Sequence, residues 1–509
     1  MKKLLTILTS RLFVVSALIL LQLGLLIFGI VLLQGYSVYC YLALVALSWV
    51  LVFYILSKRD NPMYKLAWII PILAVPVFGG ILYLIFRNRN VSPKLRMDVR
   101  DLIDKSQPYS VQDPEVLAML EKDPAAARQS AYITRNAHYP VFRNTETVYL
   151  SPGEKKLEAL CAELKKAKKF IFLEYFIVEE GEMWDSVLEI LTEKARCGVD
   201  VRLIYDDMGC IQTLPPHYDR RLAELGIQTR VFNPFRPALD LFMNDRDHRK
   251  ICVIDGAVGF TGGINLADEY INVKNVKRLH GHWKDASVLL RGEGVWNLTV
   301  MFLQLWEALS GRNEAYDRCR PEERFYADDG FVQPFADNPV DEELTGECVY
   351  RGLIQSAVRT IHIQTPYLIL DHEMMTTLCL AAKSGVRVQI VTPHIPDKWY
   401  VHEVTRANYP QLLEAGVEIY EYTPGFIHSK IAVADGKYAV IGTVNFDFRS
   451  FYLHYECGVW LCGAGAIGSM EEDFERILAQ SQRISPEECR LPWYRAAVRS
   501  FLQLFSPLM

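Results

Sequence analysis

His248-Arg-Lys-Ile-Cys-Val-Ile-Asp-Gly-Ala-Val-Gly-Phe-Thr-Gly-Gly-Ile-Asn265-Leu returns, 180 residues on, as His428-Ser-Lys-Ile-Ala-Val-Ala-Asp-Gly-Lys-Tyr-Ala-Val-Ile-Gly-Thr-Val-Asn445-Phe. Eight of the nineteen positions are identical without a gap, and they include every polar residue with obvious chemistry. In each copy an Asp-Gly pair, Asp255-Gly256 or Asp435-Gly436, sits between two apolar runs, which signals a hairpin. Each copy therefore reads as strand, tight turn, strand, then a glycine-containing loop that ends in Asn.

Working outward, the similarity extends upstream. Phe170-Ile-Phe-Leu-Glu174-Tyr-Phe-Ile-Val leads through a helical stretch to Gly198-Val-Asp-Val-Arg-Leu-Ile-Tyr-Asp-Asp207. Thr360-Ile-His-Ile-Gln364 leads in the same way to Gly385-Val-Arg-Val-Gln-Ile-Val-Thr-Pro-His394. Glycine closes each helix and a β-branched run opens each strand. Strand, helix, strand at this spacing predicts parallel pairing with helices on the sheet. The expected fold is α/β: two similar halves, 146–320 and 321–509, each a mixed sheet flanked by helices, with one site on their pseudo-twofold seam. The polar stretch from Arg312 to Pro339 joins them, and 91–145, polar and without a period, is expected to be a linker. Trp296 to Trp306 has helical spacing and is expected in the core.

Alternate residues of a strand face one side, so His248 and Lys250 point together, as do His428 and Lys430. An imidazole beside a fixed ammonium suits an anion between them, and phosphate fits: lysine supplies charge, imidazole a nucleophile or a proton. Asn265 and Asn445 can donate amide hydrogens to phosphate oxygens. Two copies face to face would put two His, two Lys and two Asn around one phosphorus. A nucleophilic imidazole needs an acceptor on its other nitrogen. Asp255 and Asp435 sit seven residues along and cap the hairpin better than they orient a ring. Asp285 and Glu456, each just before the next strand, are better placed, and we pair Asp285 with His248 and Glu456 with His428. Glu174 and Gln364 end matching strands and line the cleft or merely close a strand. Arg449 and Ser450 reach phosphate or close a turn. His280 and His282 lack a third ligand at suitable spacing, so no metal is expected.

The 509 residues are half hydrophobic with a net charge of -5, which excludes a long disordered chain and gives no basic excess for nucleic acid. The hydrophobicity is uneven. Residues 12–57 and 66–86 carry no charge, enough for two or three membrane helices within 1–90. An uncleaved anchor fits better than a signal peptide, because the apolar stretch is too long and no cleavage site follows. Basic residues on both sides of the third stretch leave the membrane side open. Eleven scattered cysteines without a CxxC read as buried free thiols.

HxKxxxxD followed by GxxN, twice, resembles the phospholipase D superfamily. Asn244-Asp-Arg-Asp-His248-Arg-Lys, Gly262-Gly-Ile-Asn-Leu-Ala-Asp-Glu-Tyr, Gly281-His-Trp-Lys-Asp285, Gly425-Phe-Ile-His428-Ser-Lys and Gly442-Thr-Val-Asn-Phe-Asp-Phe-Arg449-Ser450 resemble bacterial cardiolipin synthases in particular. The resemblance covers the chain from about residue 45. It implies a multi-pass protein of the cell membrane and phosphatidyl transfer, without cofactor or metal, from one phosphatidylglycerol to another. It counts His248, Lys250, Asp255, His428, Lys430 and Asp435 as the catalytic motif, with His248 as nucleophile and His428 as acid/base; the residues alone do not distinguish the two. A phospholipase D or phosphodiesterase that uses water, and an idle lipid-binding scaffold, are the alternatives. The apolar, loop-like Pro234 to Met243 is expected to border the lipid entrance.

Overall fold

The structure is a computed structural model that describes residues 37–58, 61–75, 79–80, 83, 93–234, 245–273, 280–340 and 343–508. The chain divides into two compact units, one made of 1–90 with 234–244, the other of 91–233 with 245–507.

In the first unit, helices Ser37–Ser57 and Pro62–Ala74 pack through Leu51, Val52, Ile55, Trp68, Ile69 and Ile72. Asn61 caps the second helix, its Oδ1 accepting from the Met63 N–H at 2.9 Å, and Pro62 opens it, where a missing N–H costs nothing. That helix stops at Ala74, because Val75 precedes Pro76 and is pushed out of the α region; residues 79, 80 and 83 are again helical, and the rest of the expected span to 86 lies outside the described residues. Leu42, Trp49, Val50, Phe53 and Leu56 of the first helix are exposed. Its side chains are described without a break only from Leu42 to Ser57, and among the described residues no helix is long and apolar enough to cross a membrane. Residues 1–36, where the first expected span falls, lie outside the described residues, as do 235–244 of the expected lipid entrance.

The second unit holds two mixed sheets. In chain order the first half contributes β1 (Thr145–Leu150), β2 (Phe170–Tyr175), β3 (Asp200–Asp206), β4 (Gln228–Phe232), β5 (Lys250–Ile254), β6 (Val258–Gly262), β7 (His282–Lys284) and β8 (Ser287–Gly292). The second half contributes β9 (Phe331–Asp337), β10 (Thr360–Gln364), β11 (Arg387–Pro393), β12 (Glu418–Tyr422), β13 (Gly425–Ile427), β14 (Ile431–Ala434), β15 (Tyr438–Gly442), β16 (Glu456–Cys462) and β17 (Ser481–Arg483). The first sheet runs β1-β8-β6-β5-β2-β3-β4; the second runs β9-β16-β15-β14-β10-β11-β12 in the same sense and adds β17 at its end. Pairs β2–β3 and β10–β11 are parallel, as strand, helix, strand requires, and β5–β6 and β14–β15 are the expected hairpins. Asp255 and Gly256 take φ of 51° and 72°, Asp435 and Gly436 of 55° and 65°, so both turn residues are left-handed and the turns match the twist of their strands.

One apolar core runs beneath both sheets, from Phe172, Val253 and Leu290 of the first to Ile363, Val433 and Val459 of the second. Helix Val295–Ser310 is its axis, with Val295 to Glu307 buried without interruption, as its spacing predicted. The segment 91–145 is not a bare linker. Helices Pro93–Ser106, Pro114–Leu120 and Pro124–Tyr132 carry Val99, Leu120 and Ala126 into this core, and Asp113 and Asp123 cap two of them ahead of a first-turn proline. Lys105 pairs with Glu307 at 2.8 Å and Asp123 with Lys437 at 2.6 Å, so the segment braces both halves. The cysteines among the described residues are free thiols.

Candidate active site

The two histidines precede β5 and β14, and each is held by a strand-like bridge to the other half. The His248 N–H donates to the Tyr455 carbonyl at 2.9 Å, and the Tyr455 N–H to that of Arg246 at 2.8 Å. Its pseudo-twofold mate is the parallel pair β13–β7, which runs on as the His428 N–H donating to Lys284 O at 2.7 Å. The next residue in each guest segment is a carboxylate: Glu456 after Tyr455, Asp285 after Lys284. His248 Nδ1 therefore meets Glu456 at 2.9 and 3.0 Å, and His428 Nδ1 meets Asp285 Oδ2 at 2.7 Å. The pairing expected from order along the chain is exchanged, because the bridges cross between halves. Carboxylates only accept, so each ring carries its proton on Nδ1 and leaves Nε2 free.

Lys250 and Lys430 each donate Nζ to the carbonyl of their own motif histidine two residues back. Both are buried, and burial holds the ammonium of Lys250 down at about 8 and of Lys430 at about 7. Burial, then the lysine cations, holds His248 well below its ordinary range and His428 at about 4, with Asp285 opposing the fall. The centre is thus short of negative charge, which a bound anion would supply. His428 lies among Tyr270, Trp283 and Phe426, with ring centroids at 5.6, 5.5 and 5.9 Å. His248 lies beside Phe176 at 5.2 Å and His454 at 5.6 Å.

Asp255 and Asp435 are taken away from this centre. Asp255 accepts from the N–H groups of Lys168, Lys169 and Phe170, and Asp435 from those of Val358, Arg359 and Thr360, at 2.7–2.9 Å. At the far end of a strand from its histidine, each ties the hairpin turn to the start of the neighbouring strand and touches no reacting group. Asn265 is buried, its Oδ1 accepting from Ile177 N–H at 3.0 Å and its Nδ2 donating to Tyr270 Oη at 2.6 Å. Asn445 is buried, and among the described residues its Oδ1 has no hydrogen-bond partner.

Behind the motif, the residue between His and Lys points the other way in both copies. Arg249 pairs with Glu174 at 2.6 Å and Asp247 at 3.2 Å, and Ser429 donates to Gln364 at 2.6 Å. Glu174 and Gln364 thus support the motif strands rather than line the cleft. Thr443 bonds Glu456; the pseudo-equivalent residue is Gly263, where a Cβ would stand 2.2 Å from Asp285 Oδ1. Arg449 donates Nε to His454 Nε2 at 3.3 Å, and the Ser450 N–H donates to Asp447 Oδ1 at 2.8 Å. His282 meets Tyr422 Oη at 3.1 Å. Among the described residues the metal-ligand types that converge are His248, His454 and Glu456, with atoms within 4.8 Å, and two of these already serve each other. Lys156 escaped the sequence reading. It lies on helix Gly153–Leu164 in a lysine-rich stretch that looks solvated, yet its buried Nζ donates to Tyr175 Oη at 3.2 Å and Ile264 O at 3.0 Å.

Two buried His/Lys pairs, each ring bonded by a carboxylate of the other half, define a phospholipase D-like transferase fold. A family model described as "Cardiolipin synthase, PLD-like domain" matches residues 160–276 and 350–478, and one described as "Phospholipase D-nuclease N-terminal" matches 45–88. The cardiolipin synthase of Geobacillus kaustophilus is 36% identical over 89% of this chain and 90% of its own. An uncharacterized protein of Streptococcus mutans is 41% identical over 85% of this chain and 94% of its own. The crystal structure of phosphatidylserine synthase from Haemophilus influenzae shares the fold, with a TM-score of 0.54 and 14% identity over 71% of this chain and 93% of that one. The chain belongs to the cardiolipin synthase family of phospholipase D-like proteins.

Proposed function

We propose that this chain is a cardiolipin synthase that moves a phosphatidyl group between two phosphatidylglycerol molecules through a phosphohistidine on His248. The observation that carries this reading is the pair of buried imidazoles, each with Nδ1 fixed by a carboxylate and each backed by a lysine. Lys250 and Lys430 hold the phosphoryl oxygens, joined by amide hydrogens of Asn265 and Asn445. Nε2 of His248 attacks phosphorus while the bond to the headgroup glycerol breaks, and His428 gives that oxygen its proton. The arriving anion raises the proton affinity of His428, and Asp285 stabilises the imidazolium. Glycerol leaves. A hydroxyl of the second lipid then gives its proton to His428 and displaces His248, so bonds and protons balance without water, nucleotide or redox change.

In this reading His248 attacks and His428 carries the proton; Lys250 and Lys430 oppose protonation of both rings alike. Residues 1–90 hold the site at the cell membrane as a multi-pass anchor. The charge-free stretches, the matched 45–88 segment and the exposed apolar side chains of helix Ser37–Ser57 support that part.

The test is direct. Purified protein in phosphatidylglycerol vesicles is expected to yield equal amounts of cardiolipin and glycerol. Phosphatidic acid as the sole product would make water the acceptor, and the absence of any product would leave a lipid-binding scaffold.

A further inference from the structure

The active site is duplicated in every group so far assigned a role: histidine, lysine, asparagine and carboxylate. Duplicated groups give the two histidines no reason to behave differently. The difference must come from positions where the constant 180-residue offset pairs unlike residues. Close to the site, Arg449 of the second half falls opposite Glu269 of the first.

Arg449 follows the Asn445 loop and donates Nε to His454, whose ring is 5.6 Å from that of His248. Among the described residues no carboxylate lies within ion-pair distance of Arg449, and the acid that opposes it, Asp447, is engaged by the Ser450 N–H. The positive charge therefore reaches His248 only partly cancelled. Glu269 precedes Tyr270, whose ring stands edge-on to His428 at 5.6 Å. Burial and the neighbouring Glu179 hold the Glu269 carboxyl up at about 7, with Asp397 and Asp285 adding to the negative field. One side of the seam is cationic, the other acidic.

We infer that the opposite charges at the pseudo-twofold-related positions 449 and 269 decide which histidine attacks and which one carries the proton. The inference rests on the phosphatidyl-transfer reading above. The cation beside His248 keeps that imidazole unprotonated and so nucleophilic. The acidic side favours the imidazolium of His428 and so the general acid. The other charged or titratable groups facing His248 are Lys250, Lys430, Glu456, His454 and His428; those facing His428 are Asp285, Lys430, Lys250, His248 and Tyr270. Except for His454 and Tyr270, these come in matched pairs across the seam. Both residues polarise a histidine without touching the reacting atoms.

The test is the pH profile of phosphoenzyme formation, followed by radiolabelled phosphatidylglycerol in a single turnover. Arg449→Gln should move the acid limb of kcat/KM upward by about one pH unit, the effect of one unit charge acting across a partly wet site. Arg449→Lys keeps the charge and should leave the limb in place. Glu269→Gln should move the alkaline limb down by less, because its carboxyl is only partly ionised near neutrality. In the double charge swap Arg449→Glu/Glu269→Arg, digestion of the trapped phosphoenzyme should find label on His428 as well as on His248. Limbs that stay put in Arg449→Gln, or an equal shift in Arg449→Lys, would overturn the inference, as would label confined to His248 in a folded double variant. If the wild-type protein forms no phosphoenzyme, the transfer reading fails instead.

Discussion

Replacing Glu456 with Gln tests the exchanged pairing at its centre. The carboxylate takes the Nδ1–H of His248 at 2.9 and 3.0 Å and also bonds Thr443. An amide keeps the shape and one acceptor but loses the charge. Trading a charge-assisted bond for a neutral one costs about 2 kcal/mol, close to thirty-fold in rate. With phosphatidylglycerol, both Glu456→Gln and Asp285→Asn should slow phosphoenzyme formation, because attack and leaving-group protonation occur together. A phosphatidyl ester of p-nitrophenol separates them, since that leaving group departs without a proton. With it, Asp285→Asn should recover to within about threefold of wild type, while Glu456→Gln should remain about thirty-fold slow. Stopped-flow absorbance of nitrophenolate reads both. The opposite result, recovery of Glu456→Gln and not of Asp285→Asn, would refute these assignments: each carboxylate would then serve the histidine of its own half, or His428 would be the nucleophile.

Gly263→Ala should push Asp285 off His428, because its new Cβ would fall 2.2 Å from Oδ1; a loss of at least ten-fold with phosphatidylglycerol, spared with the nitrophenyl ester, is expected alongside about 1–3 kcal/mol of destabilisation in urea titrations. His428 resists protonation to about 4 when folded but takes its proton near 6.5 when unfolded, so its contribution to stability is lost as pH falls from 6.5 towards 4; His428→Gln should flatten that slope by up to about 3 kcal/mol. Lys250 and Lys430, held at about 8 and about 7, must regain protons to bind an oxyanion, so tungstate should raise the melting temperature more at pH 6.5 than at pH 9; an equal rise at both, or one that survives Lys250→Met with Lys430→Met, would count against the phosphate pocket. Arg249→Leu strands Glu174 and Asp247 in the interior and should cost about 3–5 kcal/mol, with much of it restored in an Arg249→Leu/Glu174→Leu double variant.

The duplicated motif made the fold and the convergence of the two His/Lys pairs legible because a repeat at constant offset fixes strand order and side-chain face together. It also identified Asp285 and Glu456 as the orienting carboxylates, but not which ring each one serves. That partnership is set by β13–β7 and the Asp247–Tyr455 bridge, contacts between segments more than 140 residues apart that leave no local period. Asp255 and Asp435 mislead for the opposite reason: they recur with the motif because the hairpin needs an acceptor for three neighbouring N–H groups, not because the chemistry does. The helical brace in 91–145 did have a signal, the Asp-Pro pairs at 113–114 and 123–124, overridden by the polar composition around them. Lys156 had none, since a buried lysine and a solvated one look alike in a helix rich in both signs of charge.

The crossed carboxylates also make the two halves interdependent. A single half carries a histidine, a lysine and an asparagine, but the acid that meets its imidazole belongs to the other half. A half on its own would leave both its imidazole and its acid without the partners they have in the whole chain. A change to the acid of one half is therefore felt at the ring of the other, and no substitution at either carboxylate stays local to the half that carries it.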